Sequence, residues 1–171
     1  SMDQWESNHW KNHILDPHHG LEDLIAGHIR ARSTSVFIED PLRLIRAIRL
    51  SGQLHFEIDI DTRKLIHSFA SRLKMAAPER LREELLKIMA LPNAYDLLVT
   101  LDKLTLLVQL IPELEEGKGI IQPKEHHWDV FDHSLAIVQA LERIMPPTPN
   151  DDMAAFVPWD RDTHHYFLQI A

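Results

Sequence analysis

Over most of the chain the apolar positions recur at helical spacing and do not alternate. In "DPLRLIRAIRL", from Asp40 to Leu50, a helical wheel gathers Pro41, Leu44, Ile45 and Ile48 into an arc of about 100°. Asp40 suits the N-cap and Pro41 the first helical position, so a helix is predicted from Asp40 to about Leu54. "HFEIDID", His55 to Asp61, alternates as a short extended link, and Asp61 is placed to cap the next helix, "TRKLIHSFASRL". "AAPERLREELLKIMA" repeats the device, with Pro78 near its start and Leu81, Leu85, Ile88 and Met89 as the buried stripe. Asn93 is placed to cap a fourth helix, "NAYDLLVTLDKL", whose apolar pattern continues to Pro112. A further helix, "DVFDHSLAIVQALERIM", carries Phe131, Leu135, Val138 and Leu141 on one side.

The flanks are less regular. "DPHHGLEDL", Asp16 to Leu24, reads as a turn leading into a short helix, and "GHIRARS" as the end of a strand. "EEGKGIIQPKEHHW" reads as a loop, and the acidic, proline-rich segment 146–162 as a loop or linker. "THHYFLQIA" starts another helix. The predicted fold class is all-α, with any sheet confined to the N-terminal segment.

Composition supports helix over sheet: Leu, Ile, Ala, Glu and Arg abound, against five glycines and two tyrosines. The absence of cysteine excludes disulfides and thiolate metal sites and fits a reducing, cytoplasmic setting. No apolar run approaches the roughly 20 residues that cross a bilayer as a helix. Ser1-Met2 reads as a cloning scar, and the chain as a piece excised from a longer protein.

The net charge of −8 is unevenly spread. Residues 29–90 carry 12 Lys/Arg against 8 Asp/Glu, and the remainder 6 against 18. A basic middle between acidic ends fits either a surface for polyanions or an ordinary solvated mixture.

The arginines of the first helix are unequal. Arg43 lies about 60° from Asp40 on the exposed side, Arg46 about 60° beyond it, and Arg49 at the border of the buried arc. Two readings fit Asp40 and Arg43. In one they are a helix cap and its ion-pair partner. In the other, the carboxylate accepts from a base amino group while the guanidinium donates to a ring nitrogen. That arrangement suits cytosine and adenine, whereas uracil and guanine would set a carbonyl against the carboxylate.

"EDPLR", Glu39 to Arg43, resembles the EDxxR motif of the class II tRNA nucleotidyltransferase and poly(A) polymerase family. Three further segments resemble that family in the family's order. "DPHHGLEDLIAGHIR" is similar to the end of its catalytic head, "PERLREELLKIM" to a helix beyond its neck, and "HHWDVFDHSL" to the opening of its C-terminal region. The resemblance covers about Asp16 to Met145.

It implies a multi-helical neck and body over 37–112, a head remnant over 1–36, and the start of an HD-like C-terminal region over 113–171. It implies that Asp40 and Arg43 select incoming CTP or ATP, with Glu39 orienting them, and that the partner is the 3′ end of tRNA or another RNA. Arg46 is added as a contact for triphosphate or RNA backbone, Arg49 as structural. Arg80 and Arg82 are candidates for an RNA groove, although Glu83 and Glu84 beside them also fit ordinary pairing on a helix surface.

The family transfers a nucleotidyl group with Mg2+ held by a D-x-D motif. No D-x-D lies upstream of Glu39, and "DID" at Asp59 to Asp61 reads as a cap. The chain alone is therefore expected to be inactive, with the metal ligands elsewhere in the parent protein. "EHHWDVFDH" offers His127, Asp129, Asp132 and His133, and His133 matches the first ligand of an HD-type phosphohydrolase. No His-Asp dipeptide follows, and His164 and His165 do not complete the pattern, so helix capping and packing against Trp128 is the favoured reading. His9, His13, His18 and His19 follow no ligand spacing, and Trp5 and Trp10 read as displaced core residues. The alternatives to nucleotide selection are an HD-type phosphohydrolase fragment and a helical interaction module.

Overall fold

A computed structural model describes residues 15–18, 20–120 and 129–144. Trp5, Trp10, His9, His13, His19, His127, Trp128, the proline-rich segment and "THHYFLQIA" lie outside the described residues.

Asp16 opens the fold by accepting from the backbone N–H of Gly20 and Leu21, at 2.8 and 2.7 Å, which starts α1 (Gly20–Ala26). Gly27, at φ +71°, ends it where an L side chain would be strained. β1 (His28–Ile29) then pairs in parallel with β2 (Glu57–Ile58). Between them lie α2 (Val36–Glu39) and α3 (Arg43–Leu54). This pair of two-residue strands is the only sheet among the described residues, whose other regular elements are helices.

Asp40 Oδ1 accepts from Leu42 N at 3.2 Å, but the N-cap position falls to Leu42, which makes no side-chain cap. The regular helix begins at Arg43, later than predicted. Arg43 N and Leu44 N reach back three residues, to the carbonyls of Asp40 and Pro41, so the first turn is tighter than an α-helix. α3 is also buried over more of its circumference than one amphipathic arc. Leu42 and Ala47 join Leu44, Ile45 and Ile48 in the core because α5, α6 and the β-strands all pack around it.

α4 (Ile60–Phe69) is capped by Asp59, not Asp61: one Asp59 oxygen accepts from the N–H groups of both Asp61 and Thr62. Asp61 points outward to Lys64. A 3₁₀ segment (Ala70–Met75) leads to α5 (Pro78–Met89), whose stripe also departs from the prediction. Ile88 is buried and Leu81 and Leu85 pack on the core, but Met89 is exposed and Glu84 is buried in its place.

α6 (Ala94–Lys103) starts after Asn93, whose side chain makes no cap; Glu142 of the last helix accepts from Tyr95 N instead, at 2.6 Å. The apolar pattern does not run through to Pro112 as one helix. Thr105 adopts φ 59°, closing α6 with bonds from Thr105 N to Asp102 O and from Leu106 N to Leu101 O. The short helices α7 (Leu107–Leu110) and α8 (Glu113–Glu116) follow. α9 (Val130–Ile144) packs on α6 and buries Phe131.

Candidate nucleic-acid and nucleotide interface

α2 and the start of α3 set the geometry around "EDPLR". Ser35 Oγ donates to Glu39 Oε1 at 2.8 Å, and Arg43 Nη1 reaches Glu39 Oε2 at 3.3 Å and the Val36 carbonyl at 3.2 Å. The Ser35 hydrogen bond, and after it the Arg43 guanidinium, hold the Glu39 carboxyl below the ordinary carboxylate range. Asp40 does not pair with Arg43. Its Oδ1 accepts from Leu42 N in the turn before α3, and its Oδ2 faces Arg80 Nη2 across the helix interface at 3.7 Å. The two residues expected to act as neighbours thus have separate supports, one local and one from α5. The short turn at Pro41–Leu42 and the nearby Glu39 account for this: Glu39 stands four residues before Arg43, one helical turn away.

Arg46 and Arg49 converge on Glu84. Arg46 Nε lies 3.3 Å from Oε1, Arg49 Nε 2.7 Å from Oε2, and Lys87 Nζ 3.4 Å from Oε1. Glu84 is only 2% exposed. Burial pushes its carboxyl up, but the Arg49 hydrogen bond and charge, with Lys87 and Arg46, more than offset this and leave it below its ordinary value. Expected surface pairing on α5 is therefore corrected for Glu84, which bridges α5 to α3. Its position between Leu81 and Ile88 was the available signal, since residues three and four apart share a helix face. Arg49 also bonds Gln53 and is mostly covered, whereas the Arg46 side chain stays 40% exposed.

A cavity of about 310 Å³ opens beside these residues, lined by Arg30, Arg32, Arg43 and Arg46 together with Val36, Phe37, Ala47 and Leu50. Arg30 is compensated by Asp23 at 3.0 Å, while Arg32 acts on Glu39 through its field alone. An apolar wall beside exposed guanidinium groups can hold a flat ring and a phosphate together. Arg80 and Arg82 are both exposed on α5, but only Arg80 approaches the α3 residues.

At the other end, Asp129 uses both oxygens on the backbone, accepting from Gly119 N and Asp132 N at 2.8 Å each. Those hydrogen bonds hold its carboxyl below the ordinary range. His133 N in turn donates to the Asp129 carbonyl within the first turn of α9. Among the described residues no group of three His, Asp or Glu side chains is arranged to hold a metal ion. No described helix is long and apolar enough to cross a membrane.

Residues 55–118 match the family described as "Probable RNA and SrmB-binding site of polymerase A". An A-adding tRNA nucleotidyltransferase of Deinococcus radiodurans is 35% identical over 82% of the chain and 33% of its own length. A CC-adding tRNA nucleotidyltransferase of Geobacter sulfurreducens is 44% identical over 47% of the chain and 19% of its own length. A solved tRNA nucleotidyltransferase, complexed with a primer tRNA and an incoming ATP analogue, superposes over 73% of the chain and 33% of its own, with TM-score 0.57 and 28% identity. The chain spans at most about a third of the length of these relatives.

Proposed function

We propose that the chain belongs to the class II tRNA nucleotidyltransferase and poly(A) polymerase family and is the part that selects the nucleotide and holds the RNA 3′ end. The parent protein, on this reading, adds CMP or AMP to RNA 3′ ends without a template, in tRNA CCA-type addition or polyadenylation in the cytoplasm. Residues 1–36 are the end of its head, 37–112 its neck and body, and 113–171 the start of its C-terminal region.

The observation that carries the proposal is the fixed, exposed guanidinium of Arg43. Glu39 and the Val36 carbonyl restrain its Nη1, and the residue lines the arginine-rich cavity. A preoriented donor loses less entropy on binding a base edge than a free one. Asp40, anchored by Leu42 N and facing Arg80, supplies the acceptor. Arg46 contacts a phosphate, and Arg80 and Arg82 face the RNA. CTP and ATP are the substrates.

Mg2+ supplies charge stabilisation for the transfer step in such enzymes. The described residues do not fit it: Asp59 and Asp129 are engaged as helix caps, and no cluster of three ligands forms. On this reading the metal ligands lie in another part of the parent protein, and the role of this chain is binding and orientation.

In the full-length protein, Asp40→Ala and Arg43→Ala are each expected to lower CTP and ATP incorporation into tRNA by about a hundredfold, because the site loses polar contacts to the base edge. Unchanged incorporation in both variants would refute the assignment.

A further inference from the structure

We propose that Glu84 is a positioning residue, which holds Arg46 so that its outer edge receives a phosphate group at the arginine-lined cavity. The inference rests on the nucleotide- and RNA-binding reading above and adds to it a residue from a different helix.

The geometry is specific about which edge is used. Glu84 takes only the Nε of Arg46, at 3.3 Å. Among the described residues, Nη1 and Nη2 of Arg46 make no hydrogen bond, and Arg46 lines the cavity. A guanidinium gripped at Nε keeps two parallel donors for an anion, the fork that phosphate oxygens accept. Arg49 provides the contrast: its Nε is bound to the other Glu84 oxygen at 2.7 Å, it also bonds Gln53, and it does not line the cavity. One buried carboxylate thus holds two arginines, one for structure and one for contact.

The alternative role makes the opposite prediction. A buried carboxylate also lowers the positive potential of the cavity. Were that its main effect, removing the charge would tighten anion binding; positioning predicts that binding weakens.

The test measures binding of two probes to the 171-residue chain, tripolyphosphate and a short single-stranded oligoadenylate, across a salt series. Wild type, Glu84→Gln, Arg46→Gln, the double variant and Arg49→Gln are compared, each at a temperature where circular dichroism shows it folded. Glu84→Gln and Arg46→Gln are each expected to weaken binding about three- to tenfold and to reduce the salt slope by about 1. The double variant should bind no worse than Arg46→Gln, because Glu84 acts through Arg46. Arg49→Gln should lower Tm and leave affinity and slope unchanged. A response from oligoadenylate alone assigns the phosphate to an RNA backbone, and one from tripolyphosphate alone to a nucleotide; either supports the site. Equal or tighter binding by Glu84→Gln, or additive effects in the double variant, would overturn the proposal. Tripolyphosphate carries no base, so its response is blind to the Asp40 and Arg43 assignment and separates the two failures.

Discussion

At the scale of single residues, Glu84 has the clearest energetic signature. Its carboxyl lies below its ordinary value in the folded chain, so the unfolded state binds the proton more tightly. The stability it contributes is complete above the unfolded value, about pH 4.3, and is lost as pH falls through the depressed folded value. Thermal midpoints of the wild type are therefore expected to fall between about pH 5 and pH 3 more steeply than those of Glu84→Gln. Parallel curves would show that the three cations do not act on this group. Legibility at this scale was mixed. The bond from Leu42 N to Asp40 and the covered position of Arg49 follow from local spacing. Glu39, the partner of Arg43, stands one helical turn away and obeys the same spacing. The partner of Arg46 does not follow from it, because a guanidinium on a long stem takes whichever acceptor the fold brings near, and that acceptor lies 38 residues away.

At the scale of elements, the meeting of α3 and α6 depends on Gly52. A Cβ built there would lie 2.5 Å from Leu97 Cδ1 and 3.1 Å from its Cγ, within a packed interface. Glycine in a helix interior costs about 1 kcal/mol relative to alanine, so close approach of the two helices must offset that cost. Gly52→Val is expected to destabilise the chain by about 2 kcal/mol in urea unfolding, since buried Leu97 has little room to move. An unchanged midpoint would mean that the interface yields easily. The helices themselves were legible from apolar spacing, proline and caps. Their exact ends were less so. Asp59 outcompetes Asp61 because it precedes the helix and its oxygen meets the free N–H groups of the first turn, whereas Asp61 is already inside it. The break at Thr105 carries no glycine to announce it.

For the whole molecule, burial is concentrated around α3. Leu42, Leu44, Ile45 and Ile48 are essentially inaccessible, together with Ile66, Leu73, Ile88, Leu101, Leu106 and Leu107 from the surrounding elements. α9 contributes a single buried side chain, Phe131, and is otherwise held by partial contacts and by Glu142 at the start of α6. Backbone amides of α9 are therefore expected to exchange with deuterium well before those of α3, through a local opening that leaves the rest folded. Equal protection would show instead that the two helices open only together. The arginine-lined cavity sits against the well-buried α3, so its geometry is supported by a helix packed on several sides.

The sequence by itself determined the helical class, most helix starts, the basic middle, and the EDPLR signature that points to a nucleotidyltransferase relative. All of these depend on neighbours within about one turn of helix, where spacing fixes geometry. Only the tertiary structure decided that Asp40 faces Arg80 and that a buried Glu84 gathers Arg46 and Arg49 from another helix. Charges distant in sequence meet only when helices pack, and burial then makes their pairing a requirement, because an unpaired carboxylate inside the fold costs more than the contact returns.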